Sequence, residues 1–459
     1  MKGCTTWSYA PYRPFLWDTG DIYICRVIPS VNSIHLEWLE GEGHFEVFYR
    51  VYGEEKFIPC GKTDRNEFDI TGLKEGSDYE FFVRSGEKKS RIRLAKCGES
   101  IGAVVNYLHP EDDCYAFSGK ALCSPSLVRH PEGFLLASMD VYASEAPQNL
   151  TLIFRSDDNG KSWHYVSELM PCFWGKMFIH KGDLYMLSVS TEYGDLLIGK
   201  SVDGGKTFSA PVALLRGSNG KKGVAGVHKN PQNVVRYKGR IYETLEWGSW
   251  NDSKGYFHGA MVMSCDENKD LLDPENWHFT PPVAYDPNWE GMAPDGLSGT
   301  IEGTLVVAPD GNLYNCMRYQ TKLEKKILAF RIPDDPDAPI EYSHPIAFDG
   351  NLAKFMIKRD FISGKYFSII SRRIDDPYTR RNLLSLVASD DLEHWELVSD
   401  LIDRRYDDIE FVGFQYVDFE IEGEDIIYLC RTSINGAANF HDANYSTFHR
   451  IENFRRLLK

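Results

Sequence analysis

Apolar and polar residues alternate with period two in "SIHLEWLE" (residues 33–40), again in "FEVFYRVYG" (45–53), and in the run that ends "FDITGLKEGSDYEFFVRS" (68–85). That period puts successive side chains on opposite faces of an extended chain, so each run predicts a half-buried strand. From about Cys123 onward a second theme takes over: a strand, a turn such as "PEG", "KGD", "KGR", "PDG", "SGK" or "EGED", a second strand, and two more. First strands begin near Ser126, Lys176, Asn233, Thr304, Ala353 and Tyr416, at intervals of about 50 to 70 residues. The pattern predicts an all-β chain: a small β-sandwich over residues 1–98, then six repeats of four strands over 99–459, arranged as a six-bladed β-propeller.

One loop recurs within the repeats. "SDDNGKSW" (156–163) returns as "SVDGGKTF" (201–208) and, worn, as "SDDLEHW" (389–395). Its aspartate can accept backbone N–H bonds, its glycine takes an angle closed to other residues, and its terminal aromatic packs between neighbouring repeats. The loops resemble the Asp boxes of sialidase-like propellers, which makes them structural rather than catalytic. The first hundred residues resemble a fibronectin type III domain, through Trp38 and "TGLKEGSDYEFFVR", with Leu73 and Tyr79 where a tyrosine corner would lie. Such a module is expected to be a spacer or packing partner.

Composition narrows the partners. With 51 Lys and Arg against 67 Asp and Glu, the formal net charge is -16, which argues against nucleic acid but leaves room for one local basic pocket. No apolar run approaches the roughly 20 residues of a membrane span, and the start, "MKGCTTWSYAPYRPF", shows no signal peptide. A cytoplasmic protein is expected, or a secreted one that has been trimmed. The ten cysteines show no C-x-x-C and no metal spacing, and several, such as Cys25 and Cys430, lie in apolar runs. They read as buried thiols, and neither a metal nor a cofactor is expected.

A propeller binds ligands where first strands converge, and there the resemblance to sialidases extends over about residues 118–456. Members of that family clamp a substrate carboxylate with three arginines, attack with a tyrosine assisted by a glutamate, and donate a proton from an aspartate on a loop. "EGTLVVAPDGNLYNCMR" is similar to the family's glutamate and second-arginine segment, which implies Glu302 and Arg318. "FQYVDFEIEGEDIIYL" is similar to the nucleophile segment, which implies Tyr416, and "YFSIISRRIDD" offers Arg372 or Arg373 as the third arginine. The first arginine is missing: "ALCSPSLVRHPEGFLLAS" carries Cys123 in its place, and the literal "FRIP" at 330–333 closes a strand of the fourth repeat instead. For the acid/base, "SMDVYASEAPQNL" supplies Asp140 and Glu145.

Two features lie outside that resemblance. "GVHKNPQNVV" puts His228 on the approach to an inner strand, and "RIYETLEWGSW" carries Glu243, Glu246, Trp247 and Trp250, of which the tryptophans suit sugar stacking or packing. "NGAANFHDANYSTFHR" puts His441 and Asp442 after the strand that ends in Arg431. A histidine there could abstract a proton beside a uronate carboxylate neutralised by Arg318 or Arg431. Three functions fit: an exo-acting sialidase-like glycoside hydrolase removing a terminal sugar, acidic or not; a polysaccharide lyase or non-sialic glycosidase using histidine, tyrosine and arginine; and a carbohydrate-binding propeller without catalysis. All three imply a glycan as partner.

Overall fold

The computed structural model describes residues 7–9, 22–108, 119–144, 146–218, 223–251, 255–295 and 299–458. Strands dominate, and the only helical elements among these residues are two single 3₁₀ turns, Pro274–Asn276 and Phe454–Leu457.

The period-two runs near the start form two facing sheets. Tyr23–Ser30, Ser33–Leu39 and Glu67–Thr71 make one; Ile58–Thr63, Phe45–Val51, Asp78–Ser85, Lys88–Lys89 and Arg93–Lys96 make the other. Ile34, Leu36 and Trp38 point inward at every second position and meet Phe45, Val47, Phe81 and Val83 from the opposite sheet. Tyr79 Oη accepts the Lys74 N–H at 2.9 Å, which fixes the corner before its strand.

Six further antiparallel sheets follow in order, with first strands at Ala121–Arg129, Phe173–His180, Gly226–His228, Thr300–Val307, Ile357–Arg359 and Gly413–Glu422. In the third sheet Val235–Tyr237 continues the first-strand position alongside Arg240–Asn251. The inner strands are buried on both faces, so their sequences read as continuous rather than alternating: nine residues of Ala121–Arg129 include eight that are buried. A separate hydrophobic cluster fills each gap between consecutive sheets, and a sixth joins the last sheet to the first through Ile427, Leu429 and Phe448 against Leu127, Leu135 and Leu152. The ring is also closed by backbone hydrogen bonds out of chain order, because Ala103–Tyr107, from before the first sheet, pairs with Tyr445–Ile451 at the outer edge of the sixth.

The segment before the sandwich departs from the expected boundary. Ser8–Tyr9 pairs with Leu169 and Glu168 on the outer edge of the first ring sheet, and Trp7 donates its indole N–H to Pro171 O at 2.7 Å. Trp7 is buried among Val128, Leu136 and Phe208, so apolar burial draws these residues to the ring and away from the sandwich.

The recurring loops share one hydrogen-bond scheme. Asp158 Oδ1 accepts from Ser156 Oγ at 2.8 Å and from the Ser162 N–H at 2.9 Å, and Gly160 N–H donates to Ser156 Oγ. Asp203 with Ser201 and Thr207, and Asp391 with Ser389 and His394, repeat the pattern. Each loop's aromatic wedges between sheets: Trp163 lies 5.4 Å from Phe448, and Trp395 lies 5.2 Å from Phe348. All eight cysteines among the described residues are free thiols. No helix of the described residues is long and apolar enough to cross a membrane.

Candidate active site

Four first strands are interrupted at equivalent places. Pairing register shifts between Cys123 and Ser126, Phe173 and Lys176, Ile301 and Gly303, and Gln415 and Asp418. Inside these irregularities Ser124, Trp174, Glu302 and Tyr416 have φ of 51°, 51°, 58° and 56°. A bulge re-aims one side chain out of the ladder, and a positive φ in a residue other than glycine persists only where surrounding structure imposes it. All four residues line a single cavity of about 530 Å³, the size of an ordinary small-ligand site.

At the centre Tyr416 Oη donates to Glu302 Oε1 at 2.7 Å. Arg318 Nη1 bonds the other oxygen of Glu302 and lies 3.1 Å from Tyr416 Oη. With the Gln320 amide oxygen turned toward it, the rest of that guanidinium is engaged at 2.7 and 2.9 Å. Burial alone would raise the Glu302 pKa, but Arg318, the Tyr416 hydroxyl and His228 together hold it below the ordinary glutamate value. Burial and the Glu302 charge push the Tyr416 phenol up to about 12.

Two more guanidiniums stand over the Tyr416 ring, Arg431 at 5.1 Å and Arg381 at 5.6 Å from its centroid. Arg381 is braced by Gln415 Oε1, one residue before Tyr416, and by Leu352 O at 3.0 Å. Burial, opposed by Tyr416 and reinforced by the neighbouring Arg318 and Arg431, lowers its pKa to about 10. Arg431 reaches the cavity beside Cys123, whose thiol burial pushes up to about 12. Three arginines therefore share a cavity whose lining carboxylates are Glu302 and Glu192, a basic pocket in a protein of net charge -16.

The other flank is aromatic, with Phe173, Trp174, Trp250 and His228. His228 Nδ1 meets Glu246 Oε2 at 2.5 Å, and Glu246 Oε1 accepts the Gly303 N–H at 3.2 Å, immediately after Glu302. His441 lies beside Arg431; its Nδ1 is 2.8 Å from Asp442 Oδ1 and 3.2 Å from Arg431 Nη2, so only one of them can hold it at a time. Burial and Arg431 lower its pKa to about 4.

The residues expected from sequence are sorted by this geometry. Tyr416, Glu302, Arg318, Arg431, His228 and His441 line the cavity, as does Trp250. Glu246, Trp247 and Asp442 are not among the described lining residues: Glu246 backs His228, Trp247 packs into the core between the second and third sheets, and Asp442 is held by His441 and Asn439. Asp140 is fully buried, accepting from Thr151 Oγ1 at 2.5 Å and the Trp174 N–H at 2.7 Å, so it supports a bulge instead of facing substrate; burial raises its pKa to about 7. Glu145 lies outside the described residues.

Neither arginine of "SRRIDD" enters the cavity. Arg372 pairs with Asp400 at 2.8 Å, and Arg373 is consumed by Asn351 Oδ1 and the carbonyls of Lys322 and Glu324. The arginine of that sheet that reaches the cavity is Arg381, which sequence reasoning passed over because it sits in a loop with no strand pattern to point it inward. Trp174, Glu192 and Tyr142 were passed over as well, and of these only Trp174 left a signal, as a large aromatic beside glycine in "FWGKMF".

No protein-family model matches the chain, and no curated protein matches it in sequence. Solved structures do match in shape. An α-L-arabinanase of Penicillium chrysogenum complexed with arabinobiose gives a TM-score of 0.51 at 14% identity, over 78% of this chain and 99% of that one. The leech intramolecular trans-sialidase complexed with 2,7-anhydro-Neu5Ac gives 0.51 at 10% identity, over 95% and 92%. Trypanosoma rangeli sialidase in complex with sialic acid gives 0.51 at 14% identity, over 78% and 59%. At such identities the likeness is one of fold, and the fold this chain shares with them is the β-propeller.

Proposed function

We propose that the protein is a carbohydrate-active enzyme, an exo-acting glycoside hydrolase of sialidase-like architecture that removes a terminal sugar bearing a carboxylate. The observation that carries this reading is the Tyr416–Glu302 hydrogen bond of 2.7 Å beneath the guanidiniums of Arg381 and Arg431. Tyr416 attacks the anomeric carbon while its proton passes to Glu302; a neutral nucleophile avoids the repulsion a carboxylate would suffer from an anionic sugar. Arg318 is occupied in orienting Glu302, so Arg381 and Arg431 hold the substrate carboxylate, with Arg431 supplying from the sixth sheet the charge that Cys123 does not supply from the first. Trp174 and Trp250 stack on the sugar.

The same reading takes the six ring sheets as six blades, the three recurring loops as Asp boxes, and residues 1–98 and 99–459 as a fibronectin type III-like module and the propeller, with Trp7–Tyr9 docked on the latter. A second reading, a lyase acting on a uronate polysaccharide, draws support from the buried His228–Glu246 pair at the same cavity.

The test is turnover of 4-nitrophenyl glycosides of N-acetylneuraminic, glucuronic and galacturonic acids and of L-arabinofuranose, and of uronate polysaccharides, by the parent protein and Tyr416→Phe. Nitrophenol release that falls by about 10³-fold or more in the variant is the expected result. An unsaturated, ultraviolet-absorbing product without hydrolysis moves the conclusion to the lyase. Glycan binding without turnover by the parent leaves a binding propeller.

A further inference from the structure

A tyrosine mechanism leaves one proton unaccounted for. The Tyr416 proton goes to Glu302, so the oxygen that departs from the anomeric carbon needs a second donor. Asp140 cannot serve, because both of its oxygens are engaged below the cavity wall by Thr151 and the Trp174 N–H. Besides Glu302, the carboxylates and imidazoles among the described lining residues are Glu192, His228 and His441; the Cys123 thiol and the Tyr142 phenol line it too, and burial raises both. His441 sits against Arg431, which with burial keeps it neutral above about pH 4. Glu192 accepts from Trp250 Nε1 at 3.0 Å and exerts its charge on Tyr142. His228 instead is tied to the Glu302 bulge, because the Glu246 that holds its Nδ1 also accepts the Gly303 N–H, one residue after Glu302.

We propose that His228, held by Glu246, is the proton donor to the leaving-group oxygen; this rests on the reading of Tyr416 as nucleophile. Glu246 accepts the Nδ1–H at 2.5 Å, which orients the ring so that the second N–H of the imidazolium, on Nε2, is the one left to donate in the cavity that His228 lines. The ring is clamped by Trp174, with centroids 4.3 Å apart, and by His258 at 4.7 Å. Glu246 is a positioning residue, and its second oxygen on the Gly303 N–H ties the donor to the backbone that aims Glu302.

In the first step, with His228 entering as the imidazolium, the Tyr416 Oη–anomeric carbon bond forms, the bond to the leaving oxygen breaks, the tyrosine proton moves to Glu302, and the Nε2 proton moves to the leaving oxygen, which leaves a neutral ring protonated on Nδ1. In the second, water attacks the anomeric carbon, neutral Nε2 takes a proton from that water, the bond to tyrosine breaks, and Glu302 returns its proton to the phenolate oxygen.

The experiment compares 4-nitrophenyl and benzyl glycosides of the acidic sugar that the panel above identifies, using the full chain, His228→Gln and Glu246→Gln. Nitrophenolate departs without help and a benzyl alkoxide does not. His228→Gln is expected to lose about 10²- to 10⁴-fold in kcat on the benzyl glycoside and under about 10-fold on the nitrophenyl one, with Glu246→Gln showing the same inequality more weakly. Should His228→Gln not fold, as read from its thermal midpoint, the Glu246→Gln inequality decides. Equal losses on both substrates, or none, overturn the assignment of His228 while Tyr416→Phe remains inactive; an active Tyr416→Phe overturns both readings together.

Discussion

At the scale of single residues the chemistry turns on two displaced acidities. Glu302 is held below the glutamate value of 4.5, burial being outweighed by Arg318, Tyr416 and His228, so its base form is present across neutral pH and is lost only as pH falls through that depressed value. Tyr416, up at about 12, keeps its proton until attack. The pH profile of kcat/KM, which reports the free enzyme, is therefore expected to have its carboxylate limb below pH 4.5, and Glu302→Gln to remove that limb while lowering kcat by about 10²- to 10⁴-fold. A carboxylate limb at or above 4.5 in the parent would contradict the role given to Glu302.

The strand bulge is the element that makes the site. Gly303, whose N–H binds Glu246, has no room for a side chain: a Cβ there would stand 2.2 Å from Asn315 Oδ1 and 2.4 Å from Met317 Sδ. Gly303→Ala is expected to cost about 1–3 kcal/mol of stability and, because a misplacement near 1 Å at a reacting group can cost about 10²-fold in rate, to lower kcat by more than its thermal midpoint suggests. The recurring loop gives the opposite outcome. Asp158→Ala removes the acceptor of Ser156 and Ser162, none of which lines the cavity, so calorimetry is expected to show a lower midpoint while kcat stays within about 2-fold of the parent. A large loss of activity in Asp158→Ala would mean that the loops do more than join sheets.

At the scale of the whole molecule neighbouring sheets are tied together by buried charge. Two residues beyond the bulges at Trp174 and Tyr416, Lys176 and Asp418 meet at 2.5 Å, and the Leu127 N–H donates to the same carboxylate at 2.7 Å, so one ion pair joins the first, second and sixth sheets. Lys354 beneath them is driven by burial down to about 7, and Lys229 pairs with Glu243 at 2.9 Å. Removing one partner strands a buried charge, which costs about 3–5 kcal/mol. Lys176→Met is expected to lower the unfolding free energy, measured by denaturant titration, by that order, and Lys176→Met with Asp418→Asn to recover most of it. A double variant no better than the single one would mean that the pair is not what holds these sheets.

The strands, the repeat and the three loops were legible in the chain because each is set by local physics: period-two burial, turn residues, and an aspartate bonding N–H groups a few positions on. Glu302, Arg318 and Tyr416 were legible in another way, through the resemblance of their segments to those of sialidases. The tertiary structure decided the rest. Arg372 and Arg373 sit beside a strand end like Arg318, yet Asp400 and Asn351 take them, while Arg381 reaches the cavity from a loop because Gln415 and Leu352 brace it there. Asp140 was expected as an acid/base and is instead the buried anchor of Trp174, since closing the ring brings the second sheet down upon it. Local pattern fixes which residues lie on a strand, but which side chains share a cavity depends on sheets that meet only when the ring closes, between positions as far apart as Glu302 and Tyr416.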